Sequence, residues 1–245
     1  MGNPHRQLTI DIGNSGMKVA VFEGDRLRLP VARLAPGDWD EIDKWATNLG
    51  VQNIIYSTVA NVPSDRWIDK WNAAGHRVHA LDGPLPFPSD YATPRTLGQD
   101  RIAAIAGARA RLSSASLVVD AGSCLTVDLV DGSGRHRGGN ISPGLRMRLL
   151  AMHVHTARLP LVEPGEVETV VGLRTESALR HGAQLGCVYE VEGLYARLMD
   201  DHPELTVVLT GGDGERLLSH FTVPVRFFPH LVLRGLHQIL SLYVN

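Results

Sequence analysis

At 245 residues, with 44% hydrophobic and 20% charged side chains, the chain can bury a substantial core as one large domain or as two lobes of about 120 residues. A formal net charge of −2 supplies no basic field for nucleic acid, and no apolar run approaches the roughly 18–20 residues that span a bilayer. Two cysteines, Cys124 and Cys187, make no disulfide framework, and no charged-then-apolar leader opens the chain, so a cytoplasmic location with reduced thiols is expected.

Segments 8–13 and 17–22 read as two strands joined by a glycine turn at 13–16, with a third short strand around 27–34. Trp39, Ile42, Trp45, Ala46 and Leu49 recur at helical spacing over 38–49, and Gly50 marks the stop. Ile54-Ile55-Tyr56 suits a buried strand, and Ser64 is placed to cap a helix carrying Trp67, Ile68 and Trp71 that ends at Gly75. A strand at 77–81 precedes a stretch holding Pro84, Pro86, Pro88 and Pro94, which reads as a surface loop near a site. An Ala-rich helix over 99–112 connects to a second half that repeats the order: strands at 116–120, 125–130 and 135–141, helices at about 143–154 and 174–199, a strand at 206–209, and a closing helix after Pro229. Strand-strand-strand-helix-strand-helix written twice is the layout of two-lobed phosphotransferases, and there is no Gly-x-x-x-x-Gly-Lys-[Ser/Thr] phosphate loop.

Two segments 109 residues apart read almost alike: Leu8-Thr9-Ile10-Asp11-Ile12-Gly13-Asn14-Ser15 and Leu117-Val118-Val119-Asp120-Ala121-Gly122-Ser123-Cys124. A duplicated unit of this kind would bring two carboxylates and two glycine turns to one cleft, suited to a nucleotide's phosphates and their metal. Glycine lets backbone N–H groups approach phosphate oxygens, and Asn14, Ser15 and Lys18 add donors and positive charge. A carboxylate meets phosphate favourably only through a cation, which points Asp11 towards Mg²⁺. The competing reading is a turn that simply closes a hairpin. In the second segment Ser123 and Thr126 offer hydroxyls, and Asp128 shares a strand face with Thr126; a solvated strand carboxylate is the alternative for Asp128. Thr210-Gly211-Gly212-Asp213-Gly214 follows a strand, where glycines would let adenine and ribose lie against backbone. Asp100 and Arg101, in Leu97-Gly98-Gln99-Asp100-Arg101, start an apolar helix, where an aspartate is also a routine cap. His153 and His155 lack the cysteine or acidic partners of a zinc site, and Met147 and Met152 read as core.

Taken in order, these segments resemble the type III pantothenate kinases of the acetate/sugar kinase–Hsp70–actin superfamily, nearly end to end. Asp11-x-Gly-Asn-Ser15 is similar to the family's first phosphate motif, Gly98-x-Asp100-Arg101 to the motif with its catalytic aspartate, and Asp120-Ala-Gly-Ser-x-x-Thr126-x-Asp128 to its second phosphate motif. Gly138-Gly-x-Ile-x-Pro-Gly144, His155-Thr156-Ala-Arg-Leu-Pro160, Gly172-x-x-Thr175 and Thr210-Gly-Gly212 follow in the family's order. Ser15 stands where the family often has Thr, and Gly122-Ser123-Cys124 where it often has Gly-Thr-Ala; both keep a hydroxyl.

The resemblance implies an α/β fold of duplicated ribonuclease H-like (actin-like ATPase) lobes with a cleft between them, divided here as residues 1–112 and 113–245. It implies transfer of the γ-phosphoryl group of ATP to pantothenate, with Asp100 as general base. Asp11, Gly13, Asn14, Ser15, Lys18, Gly122, Ser123, Gly211 and Gly212 would bind the nucleotide, Asp11 and Asp120 would hold metal, and Tyr91, Gly98, Arg101, His155 and Thr175 would bind pantothenate. ATP, Mg²⁺ and a monovalent cation (K⁺ or NH₄⁺) are the implied cofactors, and a homodimer with the site near its interface the implied assembly, without nucleic-acid or membrane partners. The alternative is a non-catalytic nucleotide-binding regulatory paralogue resembling a transcription accessory factor, which would be expected to lack one of Asp11, Asp100 or Asp120.

Overall fold

A computed structural model describes residues 5–14, 16–59 and 65–244 and divides the chain into two compact units. The first comprises Met1–Phe87, Ala92–Arg111 and His230–Asn245, the second Pro88–Tyr91 and Leu112–Pro229.

In the first unit β1 (Arg6–Gly13) pairs antiparallel with β2 (Gly16–Glu23), and both are almost continuously buried, as strands covered on two faces must be. The third strand expected over 27–34 is two short pieces, β3 (Arg26–Leu27) and β4 (Ala32–Leu34), that divide one edge of β2. Pro30 falls between them, where a missing N–H cannot continue a ladder. After α1 (Trp39–Asn48), β5 (Asn53–Thr58) lies parallel to the other side of β1, and after α2 (Asp65–Ala73), β6 (Arg77–Ala80) extends the sheet. The order is β3-β2-β1-β5-β6, with β4 also on β2. Gly50 and Gly75, at φ 59° and 90°, end α1 and α2 in the left-handed conformation; the Ser64 cap lies outside the described residues. Leu8, Ile10, Val19, Ile42, Ile54 and Trp71 fill the core, and the Trp71 indole N–H donates to Asp43 at 3.1 Å. Helix α3 (Gln99–Arg109) completes the run, and apart from its ends it is buried nearly throughout.

The second unit has the same plan. Strands β7 (Ser116–Ala121), β8 (Cys124–Val130) and β9 (His136–Pro143) form an antiparallel meander; α4 (Leu145–Val154) and α5 (Thr175–Leu198) follow. Then β10 (Thr206–Thr210) pairs parallel to β7, α6 (Gly214–Leu218) intervenes, and β11 (Val225–Phe227) pairs parallel to β10. The order β11-β10-β7-β8-β9 matches β6-β5-β1-β2 and its edge strands, so the two halves share one topology. Strand β11, which completes the match, is three residues long and carries no readable periodicity. Met147 is 43% exposed rather than core: two residues from the buried Leu145, it points to the opposite side of α4, whereas Met152, seven residues on, packs against the core.

The final helix, α7 (Leu231–Val244), packs on α3, β1 and β5 and so belongs to the first unit, whereas a division at 112/113 places it with the second. The reason is close backbone approach. A Cβ on Gly107 would lie 2.7 Å from the Leu231 carbonyl oxygen, and one on Gly235 only 1.7 Å from that of Ala103. Among the described residues no helix is long and apolar enough to cross a membrane.

Candidate active site

In the first unit the chemistry gathers at the end of β1. Asp11 faces Lys18 across the hairpin and Ser57 on β5, and only 9% of the residue is exposed. The Ser57 hydroxyl donates to its Oδ1 at 3.2 Å, and Lys18 Nζ stands 3.8 Å from Oδ2. Burial pushes the Asp11 carboxyl above its ordinary range; Lys18 opposes the shift, the charge of Asp100 adds to it, and the Ser57 bond opposes it. A carboxylate held in this condition is under-neutralised by its own surroundings, and a cation there would stabilise its charged form. Among the described residues no three His, Cys, Asp or Glu side chains form a metal cage. Mg²⁺ is commonly held by one or two carboxylates together with water and phosphate oxygens, and Asp11 is a carboxylate of that kind.

Asp100 lies in the first turn of α3, where the helix dipole favours a negative charge, and its Oδ1 accepts the Arg101 N–H at 2.8 Å. A Cβ on Gly98 would sit 2.6 Å from that same oxygen, so glycine here makes room for the carboxylate. Gln99 Oε1 accepts the Thr58 N–H at 2.7 Å and ties the start of α3 to the end of β5. Arg101 is 3% exposed. The structure thus brings Asp11, Lys18 and Asp100 together around β1, beside the Gly13-Asn14 turn; Ser15 lies outside the described residues. One contributor escapes a sequence reading: Ser57 sits in an ordinary buried strand. Gly16, which closes the expected glycine turn, has φ +149° and Leu34 O 2.9 Å from an added Cβ, so this hairpin requires glycine there.

In the second unit Asp120 occupies the equivalent position on β7, facing Thr126 on β8 and Thr210 on β10. The two-residue turn Gly122-Ser123 is held from both flanks. Gly144 donates its N–H to Ser123 O at 3.2 Å, and an added Cβ there would meet Gly122 O at 2.3 Å. Gly211, at φ +99°, lies so close to Ala121 that a Cβ would be 2.3 Å from its oxygen, and Asp213 N–H bonds that oxygen at 3.0 Å. Asp120, Gly122, Ser123 and Gly211 therefore form one cluster of backbone-exposing turns, with Gly212 exposed beside it. Asp128 is not a solvated carboxylate: it is 2% exposed, and His136 Nε2 lies 2.8 Å from its Oδ1.

Of the expected acceptor-binding residues, Tyr91 is half-buried in the second unit, while His155, capping the end of α4, and Thr175, opening α5, are exposed. An open cavity of about 540 Å³ lined by Glu166, Glu168, Gln184, Arg216 and His220 contains none of the residues named above.

A family model described as type III pantothenate kinase matches residues 7–197. The type III pantothenate kinase of Bacteroides fragilis is 38% identical over 237 residues, covering 96% of this chain and 97% of that protein, and that of Flavobacterium johnsoniae is 31% identical over 237 residues, covering 94% and 96%. Among solved structures, a Baf family protein of Campylobacter jejuni superposes with a TM-score of 0.59 at 26% identity, covering 96% of this chain and 98% of its own. The activator of the 2-hydroxyisocaproyl-CoA dehydratase of Clostridium difficile superposes at 0.54 and 10% identity, covering 96% and 93%, a likeness of fold alone. With the actin-like duplication of the two sheets and matches over nearly its whole length, the chain belongs to the type III pantothenate kinase family.

Proposed function

We propose that this chain transfers the γ-phosphoryl group of ATP to the terminal hydroxyl of pantothenate, giving 4'-phosphopantothenate at the head of coenzyme A biosynthesis. Beyond the family membership, the observation that carries this reading is the pairing in the first unit of a buried, under-neutralised Asp11 with Asp100 at a helix N-terminus. Phosphoryl transfer through a loose transition state needs alignment and charge neutralisation more than a strong base. Asp100 suits that need: its carboxylate, held by the Arg101 N–H, accepts a hydrogen bond from the attacking hydroxyl, orients it and takes the proton late. Asp11, with water and phosphate oxygens, would hold Mg²⁺, which would neutralise developing charge when bound.

Gly13, Asn14, Ser15 and Lys18 serve the phosphates, as do Gly122 and Ser123, with Gly211 and Gly212 against the nucleoside. Asp120, with hydroxyls at its register partners Thr126 and Thr210, is the seat of the monovalent cation. Tyr91, Gly98, Arg101, His155 and Thr175 receive pantothenate, Arg101 pairing with its carboxylate. The chain acts as a homodimer. Met147, Leu150 and Val154 on the outer face of α4, at 43%, 50% and 62% exposure, with Val170, Val171 and Leu173, supply the apolar surface for a second copy.

The test is ADP release from purified protein with ATP and Mg²⁺, with and without pantothenate, in K⁺ or NH₄⁺ and then in Na⁺ buffer. Turnover that requires pantothenate and is promoted by K⁺ or NH₄⁺ is expected. Folded protein that binds ATP and turns over in no buffer would instead favour the regulatory reading.

A further inference from the structure

Residues 88–91 belong to the second unit although the chain on either side of them belongs to the first. What fixes this four-residue strap is concentrated on one side chain and its backbone. His136 N–H donates to Pro88 O at 2.9 Å, Asp90 N–H donates to His136 O at 2.9 Å, and Ser89 and His136 form a parallel bridge. The Ser89 hydroxyl lies 2.9 Å from His136 Nδ1 and accepts the Tyr91 N–H at 3.1 Å. The Tyr91 ring stacks on the imidazole, 5.8 Å between centroids and 23° between planes.

His136 itself is 0% exposed and Asp128 2%. A carboxylate can only accept, so Asp128 keeps the proton on Nε2 and leaves Nδ1 directed at Ser89. Room for this arrangement comes from Gly139, the register partner of Asp128: a Cβ there would lie 2.5 Å from Asp128 Oδ1 and 2.2 Å from Val127 O. Asp90 also bridges Arg135 and Arg137 at 3.0 and 2.9 Å, but those groups are 40–48% exposed, and such pairs contribute little. The buried chain Asp128–His136–Ser89 sets the strap, and the imidazole face sets the tyrosine ring.

We propose that Asp128 and His136 are positioning residues for the acceptor substrate, acting through Ser89 and Tyr91. The inference rests on the reading that Tyr91 lines the pantothenate site. It predicts that loosening the chain weakens pantothenate binding selectively and leaves the nucleotide unaffected.

The experiment measures kcat and the KM values for pantothenate and ATP in His136→Leu, Ser89→Ala, Asp128→Asn and Tyr91→Ala, and in the double variants joining Tyr91→Ala to each of the first two. Circular dichroism melts confirm folding, and Ser89→Ala, on the half-buried side of the chain, serves should His136→Leu not fold. Losing one net hydrogen bond corresponds to roughly a three- to tenfold rise in pantothenate KM. That rise is expected in His136→Leu and Ser89→Ala, with less than about a twofold change in ATP KM. Asp128→Asn, which keeps a carbonyl acceptor for Nε2–H but loses the charge that strengthens the bond, is expected to raise the pantothenate KM in the same direction and by less than His136→Leu does. On the Tyr91→Ala background the first two changes should add nothing further, because the residue they act through is gone. Full additivity there, or an equal rise in ATP KM, overturns the inference while leaving the Tyr91 reading intact. An unchanged pantothenate KM in Tyr91→Ala alone overturns both.

Discussion

Asp11→Asn should move stability and activity in opposite directions. At 3.8 Å the attraction of Lys18 for the Asp11 carboxylate is of order 4 kcal/mol at an effective dielectric of 20, and the lysine side chain is 34% exposed, which screens it further. Removing a carboxylate from water costs several kcal/mol, and Asp100 adds repulsion, so the balance falls against the charged form and the carboxyl is pushed up. A pKa raised on folding gives stability that is complete below the unfolded value of 3.8 and is lost as pH rises through the folded value. Above the unfolded value Asp11 therefore costs the metal-free protein stability that the protonated form does not. Asparagine removes the charge and keeps an acceptor for the Ser57 hydroxyl. In Mg²⁺-free buffer at pH 7.5 the variant should melt higher, by roughly 2–4 °C per kcal/mol for a chain of this size, and the gain should vanish at pH below about 3.8. In the kinase assay kcat should fall by about 10²-fold or more, the usual scale for losing one electrostatic stabiliser of the transition state. Calorimetric melts across a pH series, with and without Mg²⁺, read the first effect, and steady-state rates the second. A variant that melts lower than the parent at pH 7.5 without Mg²⁺ would refute the balance drawn here.

Three further outcomes follow from the same geometry. Asp100→Asn should lower kcat by about 10²–10⁴-fold while ATP binding, followed by titration calorimetry, and the melting temperature stay near the parent values. Gly235→Ala should destabilise the first unit by at least about 1–3 kcal/mol, because its Cβ would lie 1.7 Å from Ala103 O and α7 must move off α3; denaturant melts measure it. Asp120→Asn should remove the advantage of K⁺ over Na⁺ in the rate, and a variant that keeps the full K⁺ response would place the monovalent cation elsewhere.

The duplication was legible because it rests on strong local signals: an apolar run ending in Asp-x-Gly, written twice, each followed by a second strand after a two-residue turn. Asp100 stood out through its place at the start of an apolar helix and through the family resemblance, whereas the room that Gly98 leaves for its carboxylate shows only in the structure. What escaped depends on contacts distant in sequence. The α7 helix joins the first unit through Gly107 and Gly235, which look like isolated helical glycines until their facing carbonyls are known. Asp128 alternates on its strand as a solvated residue would, and only the return of β9 beside it supplies His136. Met147 failed on phase: composition alone makes a methionine core, and its position on the helix decides otherwise. The proposed acceptor-binding residues His155 and Thr175 stood out through the family resemblance alone, because they are exposed residues at helix ends with no periodic signal.

Equivalence of the two sheets also bears on the proposal that the two similar motifs hold different ions. Each places its aspartate on the central strand, with one register partner on the hairpin strand and another on the parallel strand. For Asp11 these are Lys18 and Ser57, for Asp120 Thr126 and Thr210. The first site thus already holds a fixed positive charge, with a second carboxylate, Asp100, close enough to raise the Asp11 pKa. A doubly charged ion among phosphates balances that set. At the second site a hydroxyl stands where the first has its lysine, and hydroxyl and carboxylate oxygens without that fixed ammonium would suit a monovalent ion. Exchanging Lys18 for threonine would therefore not convert the first site into a copy of the second, because Asp100 would remain beside it. On that proposal the residues flanking each aspartate would carry the divergence of function between the halves, while the strand order that places the aspartates is common to both.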